Sequence, residues 1–200
     1  MGLKDSQFQN DLTLSVNQKE WTDCASKMSK AIQDYVTSGE VSTTIPGTHF
    51  LPPGGSEPIT IHGKKGQVIS ITSSGLTEKL IEAFQEDTFE AAAKTIAEVV
   101  DIYVKSCTIF VNQYEESIYI GTGVGPPSST GLVPIVPVGY SALEAAIIGS
   151  FAVPNAPWSI FVSLFSTGVK IYLTTCIVNT YDVGASPLAG WFGFGIGSIS

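Results

Sequence analysis

Arginine is absent from this chain, and all ten basic residues are lysine. Arginine is the residue best suited to bidentate contacts with phosphate and guanine, and phosphate neutralisation supplies most nucleic-acid affinity. A chain without arginine and with a net charge of −8 is expected to bind no nucleic acid. Histidine is nearly absent too: there are two, His49 and His62, neither with Cys, Asp or Glu at metal-ligand spacing. Cysteine numbers three (Cys24, Cys107, Cys176), with no Cys-x-x-Cys pair. Each lies in or beside an apolar-periodic stretch and is expected to be a small, reduced, buried hydrophobe. No Gly-x-Ser-x-Gly nucleophile elbow occurs. The run GTGVG at 121–125 lacks the Lys and Ser/Thr of a phosphate-binding loop, and prolines follow it where a helix would be required. These shortages together predict no catalytic residue, no cofactor, no metal and no enzyme activity. The opening residues MGLKDSQFQNDL have no apolar core of the kind that directs export.

Charge is scarce as well. Only 14% of residues are charged and 44% are hydrophobic, where a soluble domain usually carries about a quarter charged residues. A surface so poor in charge is expected to meet other protein over part of its area. The charge that exists is uneven: residues 1–68 carry six Lys against seven Asp and Glu, residues 69–136 three against nine, and residues 137–200 one against two. Glu78, Glu82, Glu86 and Glu90 follow at steps of four, which predicts a solvated carboxylate stripe on one helix face or a docking surface for a basic neighbour.

What is present is a recurrence. Tyr35, Tyr103 and Tyr172 stand 68 and 69 residues apart. Fourteen residues before each is an aromatic (Trp21, Phe89, Trp158), and seven before each is a large apolar residue (Met28, Ile96, Phe165). Three before each is Ile32, Val100 or Val169. These spacings share one face of a helix of 3.6 residues per turn. Upstream, Phe8, Leu12 and Val16 match Leu76, Leu80 and Phe84, and then Leu143, Ile147 and Phe151. The third connection is two residues longer and contains Pro154 and Pro157, which belongs in a loop.

Each unit therefore reads as a short helix, a tight turn and a helix of about five turns. β-branched strands follow at Val41 to Ile45, Cys107 to Val111 and Cys176 to Tyr181. Glycine- and proline-rich loops are expected at 52–55, 121–127 and 190–200. Further apolar strand-like runs are Gln67 to Thr72 and Leu132 to Val138, the latter confined by Pro134 and Pro137 to an edge or an extended segment. The expected fold class is α+β: three tandem helical-hairpin-plus-strand repeats of about 68 residues, at 1–68, 69–136 and 137–200. The nine residues expected to pack the repeat core are Trp21, Met28, Tyr35, Phe89, Ile96, Tyr103, Trp158, Phe165 and Tyr172. The units could surround a local threefold or stack linearly.

Trp158 to Val178 is long enough to span a bilayer and contains one charge, Lys170. It also contains six Ser and Thr, and its end matches the strands of the other units. A helix buried all round is the stronger expectation, with a membrane-inserted third unit as the alternative.

The segments KAIQDYVTSGEVSTT, EVVDIYVKSCTIFV and GVKIYLTTCIVNT, with the restarts SSGLTEKL and STGLVPIV and the ending GFGIGSIS, resemble repeat-containing structural proteins of tailed, T4-like bacteriophages. The resemblance implies a virion component assembled in the host cytoplasm. It further implies multiple copies and other virion proteins as partners in a head, neck, tail or baseplate.

Overall fold

A computed structural model describes residues 2–51, 55–62, 66–70, 75–111, 131–152, 157–185 and 190–200. For 42–51, 56–62, 110–111, 131–134, 178–185 and 190–198 it describes the backbone alone. The expected loop at 121–127 and residues 52–54 of the first glycine-rich stretch lie outside the described residues.

The apolar spacings fold as six helices in three short–long pairs: α1 (Asp5–Val16) with α2 (Trp21–Ser38), α3 (Leu76–Phe84) with α4 (Phe89–Ser106), and α5 (Tyr140–Phe151) with α6 (Trp158–Thr174). The long helices hold 18, 18 and 17 residues, about five turns each. Local signals start and stop them. Thr88 caps α4 by accepting a hydrogen bond from the Ala91 N–H at 3.2 Å. Gly75, at φ 93°, starts α3 from a left-handed conformation that glycine tolerates.

Consecutive helices pack side by side, and α6 returns to pack on α1, so the helical layer is a closed ring. Its interior is filled by Phe8, Leu12, Met28, Ile32, Leu80, Ile96, Leu143, Ile147, Phe165 and Tyr172, each under 3% exposed. At roughly 25 cal/mol per Å², each such side chain contributes about 1.5–3 kcal/mol. Gly168 lets α5 approach α6, since a Cβ there would lie 2.5 Å from the Ala146 Cβ.

At one end of the ring the chain leaves each long helix as a strand and re-enters each later short helix from another. The strands are β1 (Glu40–Leu51), β2 (Gly55–His62), β3 (Gly66–Ser70), β4 (Cys107–Val111), β5 (Gly131–Val136), β6 (Ile177–Ala185) and β7 (Gly190–Ile199). All pairs are antiparallel, in the order β2-β1-β3-β4-β5-β6-β7 with a further β1–β7 pairing. Six strands thus close on themselves beneath the helices, and closure removes the free edges that a sheet would otherwise present. Glu40 and Ser200 exchange backbone hydrogen bonds at 3.1 and 2.8 Å where the last residue meets the first strand. Beyond the closed base β2, β1, β7 and β6 continue as a longer antiparallel sheet. The architecture is α+β.

Several sequence expectations need correction. Residues 190–199 form β7 where a loop was expected. Glycine alternates with Phe194, Ile196 and Ser198 there, and period-two alternation suits a strand despite the glycine content. β5 is not an edge strand, for it lies between β4 and β6. Pro134 is tolerated because it pairs only with Thr108 of β4, while β6 joins at Ile135 and Val136. The four glutamates do not share a helix: α3 ends at Phe84, which leaves Glu86 in the connection and Glu90 in the first turn of α4. Nor is α6 buried all round, since Trp158, Ile160, Leu164 and Ile171 are 40–50% exposed. Among the described residues no helix is long and apolar enough to cross a membrane.

Candidate functional site

The nine residues singled out by spacing divide by depth along the helices. Met28, Tyr35, Ile96, Tyr103, Phe165 and Tyr172 are buried. Trp21, Phe89 and Trp158 are 63%, 74% and 50% exposed and do not anchor the core. The reason is axial. All three stand at the first position of a long helix, at the end of the ring away from the strands, where no further layer of the described residues covers them.

These three aromatics rim an apolar pit of about 130 Å³. Its walls come from all three helix pairs: Val16 and Cys24, Phe84 and Ala92, Phe151 and Phe161, with Met28 beneath. Two of the aromatics lean across the boundaries between pairs, and the third packs on its own helix. Trp21 lies 5.8 Å from Phe84 by ring centroid, and Phe89 stacks on Phe151 at 6.0 Å. Trp158 meets Phe161 edge-on at 5.9 Å. Such contacts favour particular ring orientations. The side chains at corresponding positions explain why a pit exists. Phe161 is large, whereas Cys24 and Ala92 leave space.

At the opposite end two carboxylates tie the ring together. Asp101 is buried and accepts hydrogen bonds from the Tyr172 hydroxyl of α6 and from Lys105. Burial, reinforced by the Asp101 hydrogen bond, pushes the Tyr172 phenol well above its ordinary range. Asp5 of α1 accepts from Lys170 of α6 and from Tyr35 of α2. The Lys170 hydrogen bond, followed by that of Tyr35, holds the Asp5 carboxyl below its usual value. Gln9 adds a 3.1 Å hydrogen bond to Ser166 across the same α1–α6 seam. These groups are engaged in joining helices.

The buried thiols are poor nucleophiles. Burial pushes Cys107 up to about 11 and Cys176 up to about 12, and raises Cys24 as well. The thiolate is the reactive form. Cys107 and Cys176 both donate to the carbonyl four residues earlier, at 3.4 and 3.3 Å. Among the described residues no group of three His, Cys, Asp or Glu side chains could hold a metal ion. The side chains of His49 and His62 are outside the described residues.

Comparison with protein-family models, with curated proteins and with solved structures returns no match. The pit itself was not recognised from sequence. The signal available for it was a pair of large apolar residues flanking each turn, Phe84 with Phe89 and Phe151 with Trp158, more apolar surface than a solvated turn needs.

Proposed function

We propose that this chain is a non-enzymatic structural component of a bacteriophage virion, acting through protein–protein contacts in a head, neck or tail assembly. It would be built from three tandem hairpin-plus-strand units at 1–68, 69–136 and 137–200, arranged about a pseudo-threefold axis.

The observation that carries this reading is the ring of exposed aromatics, one from each helix pair, at an end that no layer of the described residues covers. Exposed contiguous apolar surface marks interaction sites, and aromatic residues dominate the energetics of such sites. Ring closure favours the threefold arrangement over a linear stack, because α1 packs on α6 and β1 pairs with β7. The shared phage-like segments supply the virion context.

Quantitative mass spectrometry of gradient-purified particles tests the reading. It expects this chain at a fixed ratio to the major capsid protein and resistant to washing. Absence from intact particles would overturn it.

A further inference from the structure

The exposed aromatic ring has a chemistry that selects its partner. We infer that the pit is a socket for an apolar side chain, leucine or phenylalanine in size, carried on a basic segment of another protein. This rests on the proposal that the chain works through protein contacts, and it names the kind of segment that docks.

Size comes first. The pit holds about 130 Å³, close to the roughly 150 Å³ engineered apolar cavity that takes up benzene. It therefore suits one inserted ring or branched aliphatic group. An apolar group suits it best, since among the described residues Gln18, Glu86 and Thr88 are its only polar lining, and Cys24, Met28 and Ala92 are buried and apolar.

Charge decides between occupants. Glu86 lines the pit, and the turns and first helical turns at the starts of α2 and α4 carry four more exposed carboxylates, Glu20, Asp23, Asp87 and Glu90. Against them stand Lys19 and also Lys94, which is paired with Glu90 at 2.9 Å. A second copy of this chain would bring the same acidic rim against itself, and like charges facing one another across an interface disfavour it. An anionic lipid surface or a nucleic acid is repelled for the same reason. A partner with Lys or Arg beside the inserted residue gains from the rim and also associates faster.

The molecule supplies its own filling substitution. Phe161 occupies in the third helix pair the position that Ala92 holds in the second. Ala92→Phe places a ring at the base of the pit with the same helical geometry. Glu20→Lys with Asp87→Lys reverses the rim while leaving every residue that lines the pit unchanged.

The test uses the full chain and two synthetic peptides, Lys-Lys-Leu-Phe-Lys-Lys and Glu-Glu-Leu-Phe-Glu-Glu, both capped. The readout is the indole N–H resonances of Trp21 and Trp158, assigned by Trp→Phe substitution. The basic peptide is expected to shift both resonances saturably, with a Kd below about 1 mM and at least about tenfold tighter than the acidic peptide. Ala92→Phe should weaken binding by about tenfold or more at unchanged folding, judged from the remaining spectrum, as expected when an apolar pocket is filled. Rim reversal should invert the preference, and about 1 M salt should shrink it. Equal binding of the two peptides, no shift up to about 1 mM, or full binding by Ala92→Phe would each overturn the inference. If Ala92→Phe fails to fold, rim reversal alone decides. Particle composition is a separate measurement, so a chain found in particles that binds neither peptide removes the socket and leaves the virion proposal standing.

Discussion

The two ends of the long helices carry aromatics at the same helical face and opposite environments. Tyr35, Tyr103 and Tyr172 are buried beside the strands. Trp21, Phe89 and Trp158 lie fourteen residues earlier, about 21 Å along the axis at 1.5 Å per residue, and are half exposed or more. Periodicity specifies which side of a helix a residue occupies. It says nothing about how far along the axis the protein interior extends. The tyrosine end is closed by a strand layer and cross-linked by Asp5 and Asp101. Among the described residues nothing covers the aromatic end, and its three aromatics are half exposed or more.

The sharpest way to break this comparison is to truncate one ring at each depth. Phe165→Ala removes a fully buried ring and should cost about 3–5 kcal/mol in urea unfolding. Phe89→Ala should cost less than about 1 kcal/mol, as surface substitutions do. Equal costs would mean that the two ends are not different in kind.

The next effect in size concerns the buried carboxylate. Tyr172→Phe deletes a hydroxyl that donates to Asp101. The loss should be about 1.5–3 kcal/mol, the range for a hydrogen bond to a charged group. Thermal unfolding at neutral pH measures it. At the aromatic end a Trp158→Phe change should stay within about 0.5 kcal/mol.

The smallest effect lies at the α1–α6 seam. Lys170→Ala should cost about 0.5–1 kcal/mol, because the Lys170–Asp5 pair is 48% and 41% exposed and solvent screens it. The pH dependence follows from the lowered Asp5 value. A depressed carboxylate contributes stability in full above its unfolded pKa, near 3.8, and loses it as pH falls through the lower folded value. Wild type and Asp5→Asn should therefore differ above about pH 5 and converge in strong acid. A difference that persists unchanged at low pH would contradict the role given to Asp5.

Much of the helical layer was legible in the sequence, for a definite reason. Each helix pair buries a local face, and residues such as Met28, Ile32 and Tyr35 announce it within a few turns. The strands at Cys107–Val111 and near Ile177 were legible from β-branching. Ring closure was not, because its contacts join residues more than 150 positions apart, Lys170 with Asp5 and Gln9 with Ser166. β7 was obscured by its glycines, whose usual meaning is a turn. The pit was hidden because Trp21, Phe89 and Trp158 continue the core pattern beyond the point where the core ends. Its depth depends on Cys24 and Ala92 being small where Phe161 is large, a difference that matters only once the three helix pairs face one another.

We propose that the aromatic end is an assembly surface, whereas the tyrosines at the other end are buried. Hydroxyl-radical footprinting of the isolated chain and of purified particles tests it most directly. Trp21, Phe89 and Trp158 should be oxidised in the isolated chain and protected in particles, while Tyr35, Tyr103 and Tyr172 should be protected in both. Oxidation of the three aromatics to the same extent in both samples would contradict it.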